Sequence, residues 1–259
     1  MRIPAPLLSL ALAACLGNSS APQLSGSGAP ILFVGNSHTY VNDLPGILQA
    51  LADSAGGETI ATMTIANANY ALIDHWHDGV ARTEIEKRSW RFVVMQQGWT
   101  PAGVCQDTLR LATQRFSESI RRAGGTPAVL EVWAPASRPG QFPGTIESYR
   151  LAAQDVSGLL FPAAEAWLEV QNRKPAYPLY GDDIHANEAG SYLAALVMYA
   201  RIFNRSPVGL PAVLRTRSGV TITLSAEVAL VLQQVAADIA LTATPATVPS
   251  ATPVITSRC

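Results

Sequence analysis

Charge is scarce in this 259-residue chain. Lys and Arg number 18 against 19 Asp and Glu, together 14% of residues, for a net charge of −1. No run of Lys or Arg stands out, which excludes the basic surface that nucleic acid requires. Cysteine is rarer still, at Cys15, Cys105 and Cys259. There are only four histidines, so any chemistry needing an imidazole must draw on His38, His75, His77 or His185. His75 and His77 sit in Asp74-His75-Trp76-His77-Asp78, and two residues apart on a helix they face different ways. With no further His or Cys cluster, no metal site and no cofactor is expected. Long apolar runs are also missing: Leu7 to Leu16 is too short to span a bilayer. Hydrophobic residues nonetheless make up 48% of the chain, enough for one domain with a sizeable core or two small ones.

The N-terminus reads as a targeting segment rather than as fold. Leu12-Ala13-Ala14-Cys15 resembles the bacterial lipoprotein signal, in which the peptide is cut before a cysteine that becomes lipidated. Residues 1–14 are therefore expected as signal peptide and 15–29, rich in Ser, Gly, Ala and Pro, as a flexible tether. The folded domain is expected over 30–241, and 242–259, dominated by Thr, Ala, Pro and Ser, as a disordered tail. That reading implies export across the inner membrane and a lipid anchor at Cys15 in the cell envelope, at the outer membrane in a Gram-negative cell. Cys105 and Cys259 are then left either as two free thiols or as a disulfide.

Ile31-Leu32-Phe33-Val34 reads as a short strand buried on both faces, running into Gly35-Asn36 and then Ser37. Asp43-Leu44-Pro45 starts a helix, with Leu44, Ile47, Leu48 and Leu51 on one stripe and Gly56-Gly57 ending it. Thr59–Ala66 is a second strand, followed by a turn at Asn67–Tyr70 and a helix over 71–87 that Gly79 weakens. Further strands are expected at Trp90–Gln96, Ala128–Trp133 and Leu159–Pro162. Helices are expected at Thr108–Ala123, Ile146–Val156, Ala163–Val170, Asn187–Asn204 and Ser225–Leu241, with a loop through Pro135–Gly144 and a short strand at Thr221–Leu224. Strands alternating with helices, each strand nearly continuously apolar, imply a parallel sheet covered on both sides. Right-handed crossovers place every strand-to-helix turn on one sheet edge, so the turns after the first three strands lie side by side.

Ser37 occupies the first of those turns, where open α/β sheets place their chemistry. Far downstream, Leu179-Tyr180-Gly181-Asp182-Asp183-Ile184-His185 leads directly into a helix. An Asp three residues before a His lets the carboxylate reach the ring its own turn presents. Nucleophile, orienting acid and base are thus supplied in the order Ser, Asp, His. His38, next to Ser37, is expected to line the pocket or pack.

These residues resemble those of an SGNH (GDSL-type) hydrolase, over Pro30 to about Leu210. Gly35-Asn36-Ser37-His38-Thr39 is similar to the family's first block, with Asn36 in place of the usual aspartate. Asp182-Asp183-Ile184-His185 is similar to the last block, without the proline that often follows the histidine. By position Asp182 corresponds to the triad acid, with Asp183 as the alternative. The resemblance implies an oxyanion hole made by the nucleophile's backbone N–H, a glycine after the second strand and an asparagine after the third. Here Asn69 takes the glycine's place, and Gln96 or Gln97 the asparagine's; Gln96, at the strand's immediate end, is the expected donor. Losing one such donor costs on the order of 3 kcal/mol of transition-state stabilisation.

The resemblance further implies a three-layer α/β/α sandwich with a mainly parallel, flavodoxin-like sheet of about five strands. It implies a serine esterase with Ser37, Asp182 and His185 as triad and Ser37, Asn69 and Gln96 as oxyanion hole, acting on small acyl esters such as O-acetyl groups of glycans. The alternatives are a lipase or lysophospholipase at the membrane, and a non-catalytic binding lipoprotein with the same fold. The oligomeric state is not indicated.

Overall fold

In the computed structural model, which describes residues 22–174 and 176–242, Ile31 to Val34 are buried completely or almost so. Ile31 and Phe33 belong to one apolar cluster, Leu32 and Val34 to another. Successive side chains of a strand point to opposite faces, so this strand is covered on both sides. It is β1 (Ala29–Gly35), in a sheet ordered β2 (Ile60–Ala66), β1, β3 (Phe92–Met95), β4 (Thr126–Leu130), β5 (Leu159–Phe161). All four pairings are parallel.

The connections are helical: α1 (Ser37–Tyr40), α2 (Leu44–Ala55), α3 (Leu72–Asp78), α4 (Val80–Glu86), α5 (Val104–Arg122), α6 (Phe142–Asp155), α7 (Ala163–Arg173), α8 (Glu188–Phe203) and α9 (Ala226–Thr242). α2, α7, α8 and α9 cover one face, burying Leu48, Trp167, Leu196 and Leu232 against Ile31 and Phe33. α3 to α6 cover the other, burying Leu72, Ile85, Phe116 and Tyr149 against Leu32 and Val34. The fold is a three-layer α/β/α sandwich on a parallel five-stranded sheet. α2 begins as its sequence dictates: Asp43 Oδ1 accepts from Gly46 N at 3.1 Å, and Pro45 sits in the first turn.

Four details differ from the sequence reading. The helix expected over 71–87 is two, because Gly79 at φ 76° is left-handed and interrupts it. α5 starts at Val104, four residues early, and α6 at Phe142, inside the expected loop. β7 (Thr221–Thr223) pairs antiparallel with β6 (Val213–Arg215), which the sequence does not announce. In β6 the buried Leu214 stands next to an exposed Val213, so its Val-Leu-Arg sequence shows no apolar alternation to read.

Residues 22–28 of the expected tether are tied to the sheet. Ser25 and Thr62 exchange two backbone hydrogen bonds, at 2.8 and 2.9 Å, and Gln49 Nε2 donates to Ser25 O at 2.9 Å. Backbone pairing needs no apolar side chain, so composition does not reveal it. The expected signal peptide, Cys15, the first part of the tether and the tail from residue 243 lie outside the described residues. Cys105 is disulfide-bonded, and the other two cysteines, Cys15 and Cys259, are likewise outside the described residues. No helix among the described residues is long and apolar enough to cross a membrane.

Candidate active site

The turn after β1 is built around one buried carboxamide. Gln96 Oε1 accepts from Asn36 N at 3.1 Å and from Thr39 Oγ at 2.7 Å, while its Nε2 donates to Asn36 Oδ1 at 2.8 Å and to the Gln97 carbonyl. A Cβ at position 35 would collide with Gln96 Oε1 and Thr39 Oγ, so glycine is required by close approach. Asn36 caps α1 by accepting from His38 N at 3.1 Å, and its Nδ2 donates to Tyr70 O at 3.0 Å. From below, buried His75 donates Nε2–H to the Gly35 carbonyl at 2.7 Å. Burial lowers the His75 pKa, so the ring stays neutral in this role. Ser37 is thereby held at the C-terminal edge of the sheet from three sides.

The second half of the site is the segment before α8. Asp182 Oδ1 accepts from the backbone N–H of Ile184 at 2.8 Å and of His185 at 2.7 Å, and its Oδ2 lies 2.7 Å from His185 Nδ1. These bonds, led by the His185 backbone N–H, hold the Asp182 pKa down at about 2. With Nδ1–H given to Asp182, His185 Nε2 is the acceptor of the Ser37 hydroxyl, 2.8 Å away. Ser37, His185 and Asp182 are therefore brought together in one hydrogen-bonded chain. Asp183 turns elsewhere, to Ser137.

Ser37 opens on a cavity of about 240 Å³ lined also by His38, Asn69, Tyr70, Gln97 and Trp99. Asn69 stands at φ 62°, a left-handed angle that Asn tolerates better than most residues. Gln96 does not line this cavity, and both ends of its carboxamide are engaged in the Ser37 turn. Gln96 is the expected oxyanion donor, but of the two glutamines it is Gln97 that lines the cavity. Its Oε1 accepts from Leu72 N at 3.2 Å and its Nε2 donates to Thr100 Oγ at 3.1 Å, leaving a second amide hydrogen. The two glutamines are adjacent beyond the strand end, and the sequence does not say which faces the opening.

His38 is buried, edge-on to Trp133 with centroids 5.5 Å apart and 5.5 Å from the His185 ring. Burial, with the neighbouring His185, lowers its pKa to about 3, so it is neutral wherever His185 would act. Trp99 lines the cavity, whereas Trp133 is core, stacked on Trp167 at 3.9 Å. Tyr149, buried under the loop after β3, donates its hydroxyl to the carbonyls of Gln97 and Gly98 at 2.8 and 2.9 Å. Neither Tyr149 nor the Gln96 brace is legible in sequence, because both act through backbone atoms or from a distant element. His75 is buried while His77 is exposed, and among the described residues no group of three or more His, Cys, Asp or Glu is placed to hold a metal. A wider depression of about 580 Å³, at the far end of the sheet beside Tyr199 and Arg205, has no histidine or carboxylate in its lining.

No protein-family profile and no curated protein matches this sequence. Solved structures do. A candidate SGNH hydrolase from Slackia heliotrinireducens is 24% identical, with a TM-score of 0.58 over 68% of this chain and 100% of its own. A lipase/acylhydrolase from Enterococcus faecalis is 15% identical, with a TM-score of 0.52 over 73% of this chain and 98% of its own. A catalytic mutant of an acetylxylan esterase from Geobacillus stearothermophilus is 16% identical, with a TM-score of 0.52 over 72% and 99%. The chain shares its fold with SGNH- and GDSL-type hydrolases.

Proposed function

We propose that this protein is a serine ester hydrolase that works through an acyl-enzyme. The observation that carries the reading is the unbroken chain from Ser37 Oγ to His185 to Asp182, opening on a cavity. His185 takes the Ser37 proton as Oγ attacks the ester carbonyl. Asp182 holds the imidazole in the tautomer this needs and stabilises the imidazolium that forms. The tetrahedral oxyanion is met by the backbone N–H groups of Ser37 and Asn69 and by the free amide hydrogen of Gln97. His185 then returns its proton to the leaving alcohol, and water, activated by the same base, releases the acid and Ser37.

The substrate we favour is a small acyl ester, such as an O-acetyl group of a glycan. A cavity of about 240 Å³ suits a short acyl group, and the polar lining from Asn36, Asn69 and Thr100 suits a hydroxylated alcohol. The acetylxylan esterase among the structural neighbours fits this substrate class. A lipid anchor at Cys15, within the cell envelope, remains part of the proposal on the strength of Leu12-Ala13-Ala14-Cys15 alone.

The test is covalent. Protein lacking the first 15 residues is treated with a fluorophosphonate, the adduct is located by mass, and hydrolysis of p-nitrophenyl acetate, butyrate and palmitate is compared with that of Ser37→Ala. We expect an adduct at Ser37, preference for acetate, and a loss of at least about 10³-fold in kcat in the variant. No adduct and equal rates would end the hydrolase reading. Palmitate preference would replace it with a lipase.

A further inference from the structure

We propose that Asp183 is a positioning residue, which fixes where the His185-bearing loop sits against the sheet and so sets the distance from His185 to Ser37. This rests on the triad reading above. The loop is closed at its neck by pairing of Tyr180 with Ala186, with Gly181 N donating to His185 O at 2.8 Å and Asn187 N to Leu179 O at 2.9 Å. Inside the neck, the carboxylate of Asp182 bonds, among the described residues, to the N–H groups of Ile184 and His185 and to the His185 ring. Those bonds give the loop its shape, but they tie it to itself and not to the rest of the protein.

Location comes from the segment after β4. Asp183 Oδ1 accepts from Ser137 N at 2.7 Å, Asp183 Oδ2 accepts from Ser137 Oγ at 2.9 Å, and the Asp183 carbonyl accepts from Ala136 N at 2.8 Å. Two further bonds run to the same segment: Trp133 Nε1 donates to Ile184 O at 2.9 Å, and Tyr180 Oη donates to Ala134 O at 2.6 Å. Ser37 is referenced to the sheet through β1 and, by way of Gln96, through β3. His185 is referenced through the neighbouring β4. The two references meet at the Ser37–His185 bond and at Asn42 Nδ2, which donates to Ala186 O at 3.0 Å. Among the described residues the Asp183 carboxylate is the charged group of the loop bonded across to the segment after β4.

Asp183 and Ser137 are both exposed, so water can replace either partner and the fold has little to lose. Placement has more to lose, since a misplacement of about 1 Å can cost on the order of 10²-fold in rate. Asparagine at 183 can still accept from Ser137 N, and its amide can donate to a rotated Ser137 hydroxyl. At a triad acid, by contrast, the same exchange costs about 10⁴-fold by leaving the wrong tautomer.

The experiment compares Asp183→Ala, Asp183→Asn, Ser137→Ala and Asp182→Asn with wild type. It measures kcat and KM on p-nitrophenyl acetate, the rate of fluorophosphonate labelling at Ser37, and the thermal midpoint. Asp183→Ala should lower kcat and labelling by tenfold or more with KM within about twofold and the midpoint within a few degrees. Asp183→Asn should recover most of the loss, Ser137→Ala should lose less than Asp183→Ala, and Asp182→Asn should lose far more than any of them. Unchanged kcat in Asp183→Ala, or Asp183→Asn as impaired as Asp182→Asn, would overturn the proposal while leaving the hydrolase reading in place. A wild-type protein that takes no label at Ser37 would overturn both.

Discussion

Gln96 and Gln97 share chemistry and differ only in where they point, and the roles assigned to them make opposite demands on substitution. Gln96→Leu strips acceptors from Asn36 N and Thr39 Oγ inside a buried turn, and each unsatisfied buried group costs about 1–3 kcal/mol. It should lower stability and activity together. Gln97→Leu leaves that brace intact, though Leu72 N loses an acceptor. It should lower kcat by about 10²–10³-fold with a smaller loss of stability. Urea unfolding and steady-state kinetics on the two variants check the assignment, and kcat loss in Gln96→Leu with unchanged stability would return Gln96 to the oxyanion hole. At this scale the sequence singled out Ser37, Asp182 and His185 as a candidate set, because histidine is scarce and an Asp three residues before one stands out, and the fold joins the three by hydrogen bonds. It could not rank Gln96 over Gln97, since a residue's facing beyond a strand end is set by how the chain leaves the sheet.

Between elements, the site depends on packing well away from it. α8 begins at Glu188, and its Gly190 lies so close to α7 that an added Cβ would collide with the Trp167 ring and the Leu179 carbonyl. Trp167 stacks on Trp133, which in turn donates to Ile184 O in the loop that carries His185. Gly190→Ala is therefore expected to destabilise by about 1–3 kcal/mol through overpacking, and to lower kcat as well by displacing that column of rings. Chemical denaturation beside kinetics tests it; a variant destabilised by this amount with native kcat would uncouple the column from the site. The helix α8 was readable from Asn187 onward as a long apolar run, but the reason for its glycine is Trp167, more than twenty residues earlier. The broken helix at Gly79 and the single buried residue of β6 were hard to read for a related reason. One position, not a pattern, decides each.

A molecule with so few charges keeps most of them at the surface; of those it buries, Glu84 and Arg110 have ion-pair partners, and Glu131 is the one with a titration to follow. It lies just past β4, fully buried, with Oε2 accepting from Glu165 N at 3.4 Å at the start of α7 and Oε1 unpartnered among the described residues. Burial, with Glu165 nearby, raises its pKa well above the ordinary 4.5. The folded chain thus holds a proton that the unfolded chain gives up. The stability this group contributes is full below about pH 4.5 and is lost as pH rises toward the folded midpoint, at about 1.4 kcal/mol per pH unit. Glu131→Gln keeps the acceptor and removes the titration. Measured by urea unfolding, its stability relative to wild type should rise between pH 5 and pH 8, and a difference that does not change with pH would show Glu131 ionised in the fold.

Apolar strands alternating with striped helices determined, by themselves, a parallel sheet covered on both faces and the sheet edge on which Ser37 lies. Local spacing put a carboxylate within reach of the ring of His185, with Asp182 favoured over Asp183 by resemblance. Both are short-range properties, in which the period of a strand or the reach of a side chain across a turn leaves few solutions. Tertiary structure alone decided that Gln96 braces the Ser37 turn while Gln97 faces the cavity, that Asp183 bonds to the segment after β4, and that Ser25 pairs with β2. Each of those contacts joins positions at least thirty-seven residues apart, or turns on which way a backbone leaves its strand. No local pattern encodes either, because the partner is fixed only once the sheet has formed.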